Sequence, residues 1–600
     1  MCGIFCALSC HEPVWPSPEL QQLLEKRGPD SSSRKSFTAT GGITNEEPAL
    51  PDTHITLIST VLSLRGEVTV GQPYQTNTSQ STLCWNGEAW TVEGAIPGGN
   101  DTRAVFRLLD GEDGALQHAP VDVAARLDQT AQRATVISKS ISQIAGPYAF
   151  VFYDAAHSLL FYGRDFLGRR SLLTKRTDEG GLLIASVTDA PDSDGWSEVE
   201  ADGVYCVDLL RPLSHPLAAG KSASQGQHPP TKVPYHSIID VPDAHCTPVL
   251  PRLFLNKKLH PTPTPLSSMA APVLHLEQLL RTSLSLRILN IPEPPYAGDS
   301  KADEQVASLA VLFSGGLDCT VLARLAHDIL PLSQGIDLLN VAFENPRIHK
   351  RAANEVDSQA IYEQCPDRAT GRASYAELQR ICPYRDWRFI VINIPYTETM
   401  QHRQKVITLM HPHNTEMDLS ISYALYFAAR GAGSLSPSPS VLEPYTTCAR
   451  VLLSGLGADE LFGGYQRHAT AFSRNNLRGL LDELDLDIGR LGKRNLGRDD
   501  RVISNWGREA RFPYLDEQLL SWALEAPVMD KCGFGEQVSG GVDAAGDGSE
   551  LLEPGKKVLR CLAWKLGMKG VATEKKRAIQ FGARTAKMEA GKTKGTQLLT

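Results

Sequence analysis

Between residues 309 and 453 the chain sets short, almost unbroken apolar runs among stretches of helical spacing. The runs are 309–313, 338–343, 389–392 and 451–453, and an amphipathic stretch over 274–287 precedes them. A strand with one wet face alternates polar and apolar residues, whereas a continuous apolar run is buried on both faces, as in a parallel sheet covered by helices. The second half therefore reads as α/β, and ligands of such sheets bind at the carboxyl ends of the strands. The first two hundred residues differ. Residues 82–85 form a strand pattern running into Asn86-Gly87, a turn signal; 148–153 is expected to pair with 158–162, and 101–109 has helical apolar spacing. This half reads as a layered α+β domain built on antiparallel sheets.

Between about 212 and 268 the pattern lapses into Pro, Ser, His and Gln, with Pro261, Pro263 and Pro265 close together, which reads as an extended linker. Breaks at 292–303, 431–444 and 533–548 read as surface insertions. The expected organisation is a domain over 2–212, a linker over 213–270 and a second domain over 271–600. A length of 600 residues agrees with more than one core. A net charge of −8, without a long basic run, argues against a nucleic-acid surface, and no 18-residue apolar stretch predicts a membrane helix. Twelve cysteines in 600 residues suggest no disulfide framework, and no signal peptide is legible, so a cytoplasmic protein with reduced thiols is expected.

Two places carry candidate chemistry. Cys2 follows Met1 directly, so trimming Met1 leaves one residue with a thiol and a free α-amine, a nucleophile beside its own base. Cys2, Cys6, Cys10 and His11 could alternatively converge on a metal, but the apolar residues between them fit a buried strand with Cys6 and Cys10 in the core. In the second half, the first apolar run empties into Ser314-Gly315-Gly316-Leu317-Asp318-Cys319-Thr320, with a helix expected from about Val321. Two glycines and a helix N-terminus make an anion site; Ser314 and Thr320 can donate to phosphate oxygens and Asp318 can hold magnesium.

That heptad resembles the pyrophosphate-binding loop of ATP pyrophosphatases that adenylate a carboxylate, with Cys319 where the family usually has Ser. The run at 451–453 ends in Ser454-Gly455-Leu456-Gly457-Ala458-Asp459-Glu460-Leu461-Phe462-Gly463-Gly464-Tyr465, and together the two loops resemble the synthetase domain of asparagine synthetase. Residues 414–420, 511–516 and 575–582 extend the likeness. The resemblance implies an ATP and pyrophosphate site of Ser314, Gly315, Gly316, Asp318, Cys319, Thr320, Ala342, Ser454, Gly455 and Lys576, with Asp318 and Asp459 holding Mg2+.

The first half is similar to a class II glutamine amidotransferase, an N-terminal nucleophile hydrolase of αββα sandwich form. The likeness rests on Cys2-Gly3-Ile4, Arg27-Gly28-Pro29-Asp30, Arg65 followed by Gln72-Pro73, Asn86-Gly87-Glu88, Asp101-Thr102 and the closing stretch 163–172. It implies Cys2 as nucleophile, Asn86 and Gly87 as oxyanion donors, and Arg65, Glu88 and Asp101 as glutamine ligands, with 163–172 defining the fold. The combination looks most like the eukaryotic asparagine synthetase domain-containing proteins and covers about 2–210 and 271–590. It implies a carbon–nitrogen ligase: glutamine hydrolysed at Cys2, ammonia passed through the interior, and aspartate adenylated by ATP to give asparagine, glutamate, AMP and pyrophosphate. The implied partners are glutamine, ATP and aspartate or another carboxylate, with a homodimer as the candidate assembly and neither nucleic acid nor membrane.

Leu456 departs from the resemblance. Asparagine synthetases typically carry Glu there, thought to take the proton of attacking ammonia, and leucine has no group for that. Two alternatives stay open: a glutamine-fed ligase for another carboxylate, and a catalytically weakened regulatory binding protein.

Overall fold

The computed structural model describes residues 1–40, 52–111, 123–189, 195–211, 230–239, 249, 251, 253–259, 268–293, 307–349, 358–535, 552–588 and 595–599. The chain forms two compact units: Met1–Leu250 with Ile407–Pro412 and Leu491–Gly507, and Pro251–Val406 with His413–Arg490 and Arg508–Thr600.

The first unit is built on two antiparallel sheets. Six strands run in the order Ser197–Glu198, Leu173–Arg176, Leu182–Ala185, Gly3–Ser9, Thr53–Val61, Ser31–Ala39; five run Thr231–Pro234, Gly203–Asp208, Leu159–Arg164, Tyr148–Asp154, Thr82–Gly87. Their inner faces share one core, in which Ile4, Cys6, Leu8 and Leu57 meet Cys84, Val151, Leu160 and Tyr162. Even positions of the first strand supply that core, so Gly3 and its odd-numbered companions face outward. There the helix Pro18–Arg27 covers the first sheet, while helices Asp101–Asp110 and Val123–Ser142 pack on the second. Cys6 is in the core and Cys10 packs against it, as a buried strand requires.

The expected Asn86-Gly87 turn is instead the end of a strand. Asn86 pairs with Ala149 and Gly87 with Tyr148. The glycine serves close approach, since a Cβ there would lie 2.5 Å from the Pro147 carbonyl oxygen and 2.7 Å from Tyr148 Cβ. Within the stretch read as linker, Thr231–Pro234 joins the edge of the second sheet and runs into a short helix, Tyr235–Ile239. Tyr235 Oη donates to the Arg164 carbonyl at 2.6 Å. Pro261, Pro263 and Pro265 lie outside the described residues, as do 294–303 and 536–548.

The second unit has a seven-stranded sheet in the order Glu443–Thr446, Ala432–Leu435, Trp387–Ile394, Ile336–Phe343, Leu309–Leu312, Val451–Leu453, Glu509–Arg511. The last five are parallel, as their apolar runs require, and the first two form an antiparallel edge hairpin that begins in the stretch 431–444 read as a surface insertion and runs just past it. Leu309–Leu312 and Val451–Leu453 are parallel neighbours, so the loops after them emerge side by side. The helix after the first of these begins at Leu317 rather than near Val321, because Gly315, at φ 80°, turns the chain immediately.

Candidate active sites

In the first unit the nucleophile candidate begins a central strand. Cys2 N donates to Asn86 Oδ1 at 3.0 Å, Gly3 N to Thr60 Oγ1 at 3.1 Å, and Ile4 N to Ser186 Oγ at 3.0 Å. The Cys2 carbonyl accepts from Arg27 Nε at 3.3 Å. Asn86 is buried, and its Nδ2 has no hydrogen-bond partner among the described residues. A buried amide donor without an acceptor costs about 1–3 kcal/mol, a cost that a ligand oxygen would remove.

Arg65, Glu88 and Asp101 lie along the same end of the sheet. Arg65 donates to the carbonyls of Ala89 at 2.6 Å and Pro97 at 3.3 Å. Asp101, in the first turn of its helix, accepts from Ala89 N at 2.7 Å and from Trp85 Nε1 at 3.2 Å. Arg65 and Asp101 thus both hold Ala89, one on its carbonyl and the other on its N–H. Burial pushes the Asp101 carboxyl above its usual range, against the pull of the Ala89 N–H and the Arg65 charge. Glu88 is buried, and its backbone N–H pairs with the Pro147 carbonyl at 2.9 Å. The 163–172 stretch is architectural: Asp165 accepts from the backbone of Tyr148, Leu167 and Arg169 and from Arg169 Nε.

In the second unit the two loops meet. A Cβ at Gly455 would stand 2.8 Å from Asp318 Cβ, so glycine there lets the loops touch. Gly316 N donates to Ser314 Oγ at 3.3 Å, and Leu456 N to Ser454 Oγ at 3.3 Å. Cys319 Sγ and Thr320 Oγ1 both turn back onto the Gly316 carbonyl, at 3.3 and 2.8 Å. Ala342 is buried near the carboxyl end of the neighbouring strand, and Leu456 projects no polar group toward either loop.

The centre of this site is a lysine that sequence reasoning missed. Lys556 Nζ lies 2.8 and 2.6 Å from the oxygens of Asp318 and 2.7 Å from Asp459 Oδ1, while Lys576 Nζ donates to Asp459 Oδ2. Gly555-Lys556-Lys557 at the start of an amphipathic helix was its sequence signal, indistinguishable from a surface basic pair until the fold buries it; Lys556 is 3% exposed. Burial works against the Asp459 charge, but Lys556 and Lys576 outweigh it and hold the carboxyl well below its usual range. Conversely, burial opposes the Lys576 charge, and Asp459 and Asp318 more than offset it, so its pKa rises. Tyr465 shapes the same place: its Oη donates to Glu460 Oε1 at 2.6 Å, with Arg467 3.9 Å and Lys576 5.6 Å from its ring centroid. Asp367, at the start of helix Pro366–Ile381, is raised to about 7 by burial, against the opposing charges of Arg577 and Lys576.

No described group of three or more His, Cys, Asp or Glu residues is placed to hold a metal ion. Two carboxylates sharing one ammonium do fit magnesium that arrives with a nucleotide, since Mg2+ commonly takes one or two carboxylates and completes its shell from phosphate oxygens and water. No described helix is long and apolar enough to cross a membrane.

Comparison with known proteins gives the chain a family. A family model described as Asparagine synthase matches residues 445–486, which include the Ser454–Tyr465 loop. Asparagine synthetase domain-containing protein 1 of Mus musculus is 31% identical, covering 99% of this chain and 98% of that protein. An asparagine synthetase domain-containing protein of Saccharomyces cerevisiae is 31% identical over 96% of this chain and 89% of that protein. Among solved structures, glutamine phosphoribosylpyrophosphate amidotransferase from B. subtilis, complexed with ADP and GMP, is similar at 14% identity, covering 60% of this chain and 70% of that chain, with a TM-score of 0.21, too low to bear on the fold. On identity sustained along nearly the whole of both chains, the protein belongs to the family of asparagine synthetase domain-containing proteins.

Proposed function

We propose that this chain couples glutamine hydrolysis in its first unit to ATP-dependent amide synthesis in its second, with aspartate as acceptor. The reading is carried by the Cys2–Asn86 pair. Asn86 accepts from Cys2 N and keeps a buried, unpartnered amide donor beside it. Removal of Met1 would turn that nitrogen into an α-amine with an ordinary pKa of about 7.7–8.0, able to take the thiol proton. The thiolate would attack the glutamine side-chain amide, and Asn86 Nδ2 with the Gly87 N–H would stabilise the oxyanion, at about 2.7–4 kcal/mol per donor. Ammonia leaves, and water releases glutamate from the thioester. Arg65 would take the substrate α-carboxylate; Glu88 and Asp101 would take the α-ammonium.

In the second unit the Ser314–Thr320 loop and its helix N-terminus would receive the phosphates of ATP, with Ser454 and Gly455 alongside. Lys556 and Lys576 would neutralise the pyrophosphate leaving group. Asp318 and Asp459 would hold magnesium, which would add to that neutralisation. Adenylation is needed because a free carboxylate offers no usable leaving group; ammonia would then displace AMP to give the amide.

Leu456 favours a second reading, in which the acceptor is another carboxylate or synthesis is vestigial. General base catalysis is worth roughly 10²–10⁴-fold, and neither loop supplies an obvious replacement. Purified protein with glutamine, aspartate and Mg-ATP separates these readings when glutamate, asparagine and pyrophosphate are followed together. Asparagine formation supports the proposal; glutamate without asparagine transfers the role to another acceptor, and no glutamate from a chain with mature Cys2 favours a binding protein. Cys2→Ala is expected to abolish glutamine use while leaving ammonia-dependent synthesis intact, and loss of both would contradict two separate sites.

A further inference from the structure

We propose that Asp500 is a positioning residue for the Cys2 nucleophile, acting through Arg27; the role rests on the glutamine chemistry proposed for Cys2. Asp500 stands 473 positions from Arg27, yet both belong to the first compact unit, because Leu491–Gly507 packs there although the chain enters and leaves that segment from the second unit. The helix Leu496–Ser504 is buried along all nine residues, four of them charged. Such a helix cannot be held by an apolar stripe, and its charged side chains must find partners.

Arg27, the last residue of its helix, spreads three donors over three targets. Nη2 donates to Asp500 Oδ2 at 2.7 Å, Nη1 to Ser504 Oγ at 2.5 Å, and Nε to the Cys2 carbonyl at 3.3 Å. The guanidinium is planar and rigid, so fixing its two outer nitrogens fixes where Nε points. Asp500 is held in turn: Oδ2 also accepts from Ser171 N at 3.2 Å, and Oδ1 is 3.9 Å from Arg170 Nη1. Arg27 and Asp500 are each 1% exposed. A buried ion pair of this kind is seldom the most stable filling for its volume, which directs attention to what its geometry does.

A terminal nucleophile has no preceding residue to restrain it. Once Met1 is removed, Asn86 holds the Cys2 nitrogen and Arg27 its carbonyl, with Thr60 Oγ1 on the Gly3 N–H of the same peptide. Losing the Arg27 contact would loosen that peptide and let the residue shift about its ψ angle, carrying the thiol away from the amide carbonyl it must attack. Misplacement by about 1 Å costs on the order of 10²-fold in favourable geometries. Substrate ligation by Arg65, Glu88 and Asp101 is untouched, so the loss belongs in kcat and not in KM.

The test uses the full-length protein with Met1 removal verified by mass spectrometry. Asp500→Asn is expected to lower glutaminase kcat by about tenfold or more with KM for glutamine little changed, and Asp500→Glu to recover most of it. Arg27→Met with Asp500→Leu separates positioning from folding, because it removes both buried charges together. It should regain thermal stability relative to Asp500→Asn while kcat stays low. A second readout needs no turnover: iodoacetamide alkylation of Cys2 against pH. Asp500→Asn leaves the Arg27 charge less compensated beside Cys2, so the midpoint should fall by about half a unit. A kcat within about twofold of the parent, or a double variant regaining kcat together with stability, overturns the proposal. If the parent protein has no glutaminase activity, the function proposed above fails on its own, and an unchanged alkylation profile in Asp500→Asn then overturns the positioning role.

Discussion

Leu456 is the residue on which the second site's chemistry turns. It sits in the loop beside Asp318, where the resemblance calls for an acid and the side chain can accept no proton. Leu456→Glu is expected to raise asparagine formation by up to about 10²-fold if the missing base limits the rate, and an unchanged rate would place the limit elsewhere. Asp367 carries a different consequence. Its carboxyl is raised to about 7, chiefly by burial, with Arg577 and Lys576 opposing and Glu574 adding to the rise. The folded state therefore holds a proton that the unfolded chain releases near pH 4. Stability from this group is fully present below that pH and is lost as pH rises through about 7, an effect on the order of a few kcal/mol. Asp367→Asn should raise the melting temperature at pH 8 and leave it nearly unchanged at pH 4; equal shifts at both would exclude titration as the cause. Neither Asp367 nor Lys556 stood out in the sequence, because each is an ordinary surface residue type until tertiary packing buries it.

Two elements show how local pattern and backbone geometry divide the work. The apolar runs at 309–313 and 451–453 were legible as parallel strands from side-chain pattern, whereas the loops after them were candidate ligand loops through the family resemblance. The conformation of the first loop was legible in neither, because it depends on what Gly315 touches. Its φ of 80° suits glycine, and a Cβ would stand 2.4 Å from the Gly371 backbone in the helix Pro366–Ile381. An alanine there would meet backbone on both counts, at a cost of about 1–3 kcal/mol from the dihedral before any clash. Gly315→Ala should abolish ATP-dependent pyrophosphate release while glutamate release persists; parallel loss of both would indicate general unfolding. The Asn86-Gly87 pair teaches the converse. Asn-Gly is a strong hairpin signal, but here Gly87 is needed because the Pro147 carbonyl approaches it across the sheet, a contact invisible to local sequence.

At the scale of the molecule, the first unit is completed by residues far along the chain. Arg501 Nη1 donates to Ser171 Oγ and Glu198 Oε1, both at 2.8 Å, and Asp500 pairs with Arg27 at 2.7 Å. A fragment of residues 1–250 would lack both that carboxylate and the buried helix Leu496–Ser504 that carries it, and breaking a buried pair costs about 3–5 kcal/mol against a total stability of about 5–15. Such a fragment is expected to aggregate or to lack near-ultraviolet ellipticity, and a soluble, cooperatively folding fragment would contradict this. The sequence by itself determined two kinds of layered domain, the strands that carry the loops, and the order of the motifs, because periodicity and short signatures are local properties. The tertiary structure alone decided that Lys556 bridges two carboxylates, that Gly87 ends a strand, and that Asp500 meets Arg27. Those outcomes depend on which distant groups meet in a low-dielectric interior, where a buried charge or a close backbone must find its partner, and no local pattern encodes that meeting.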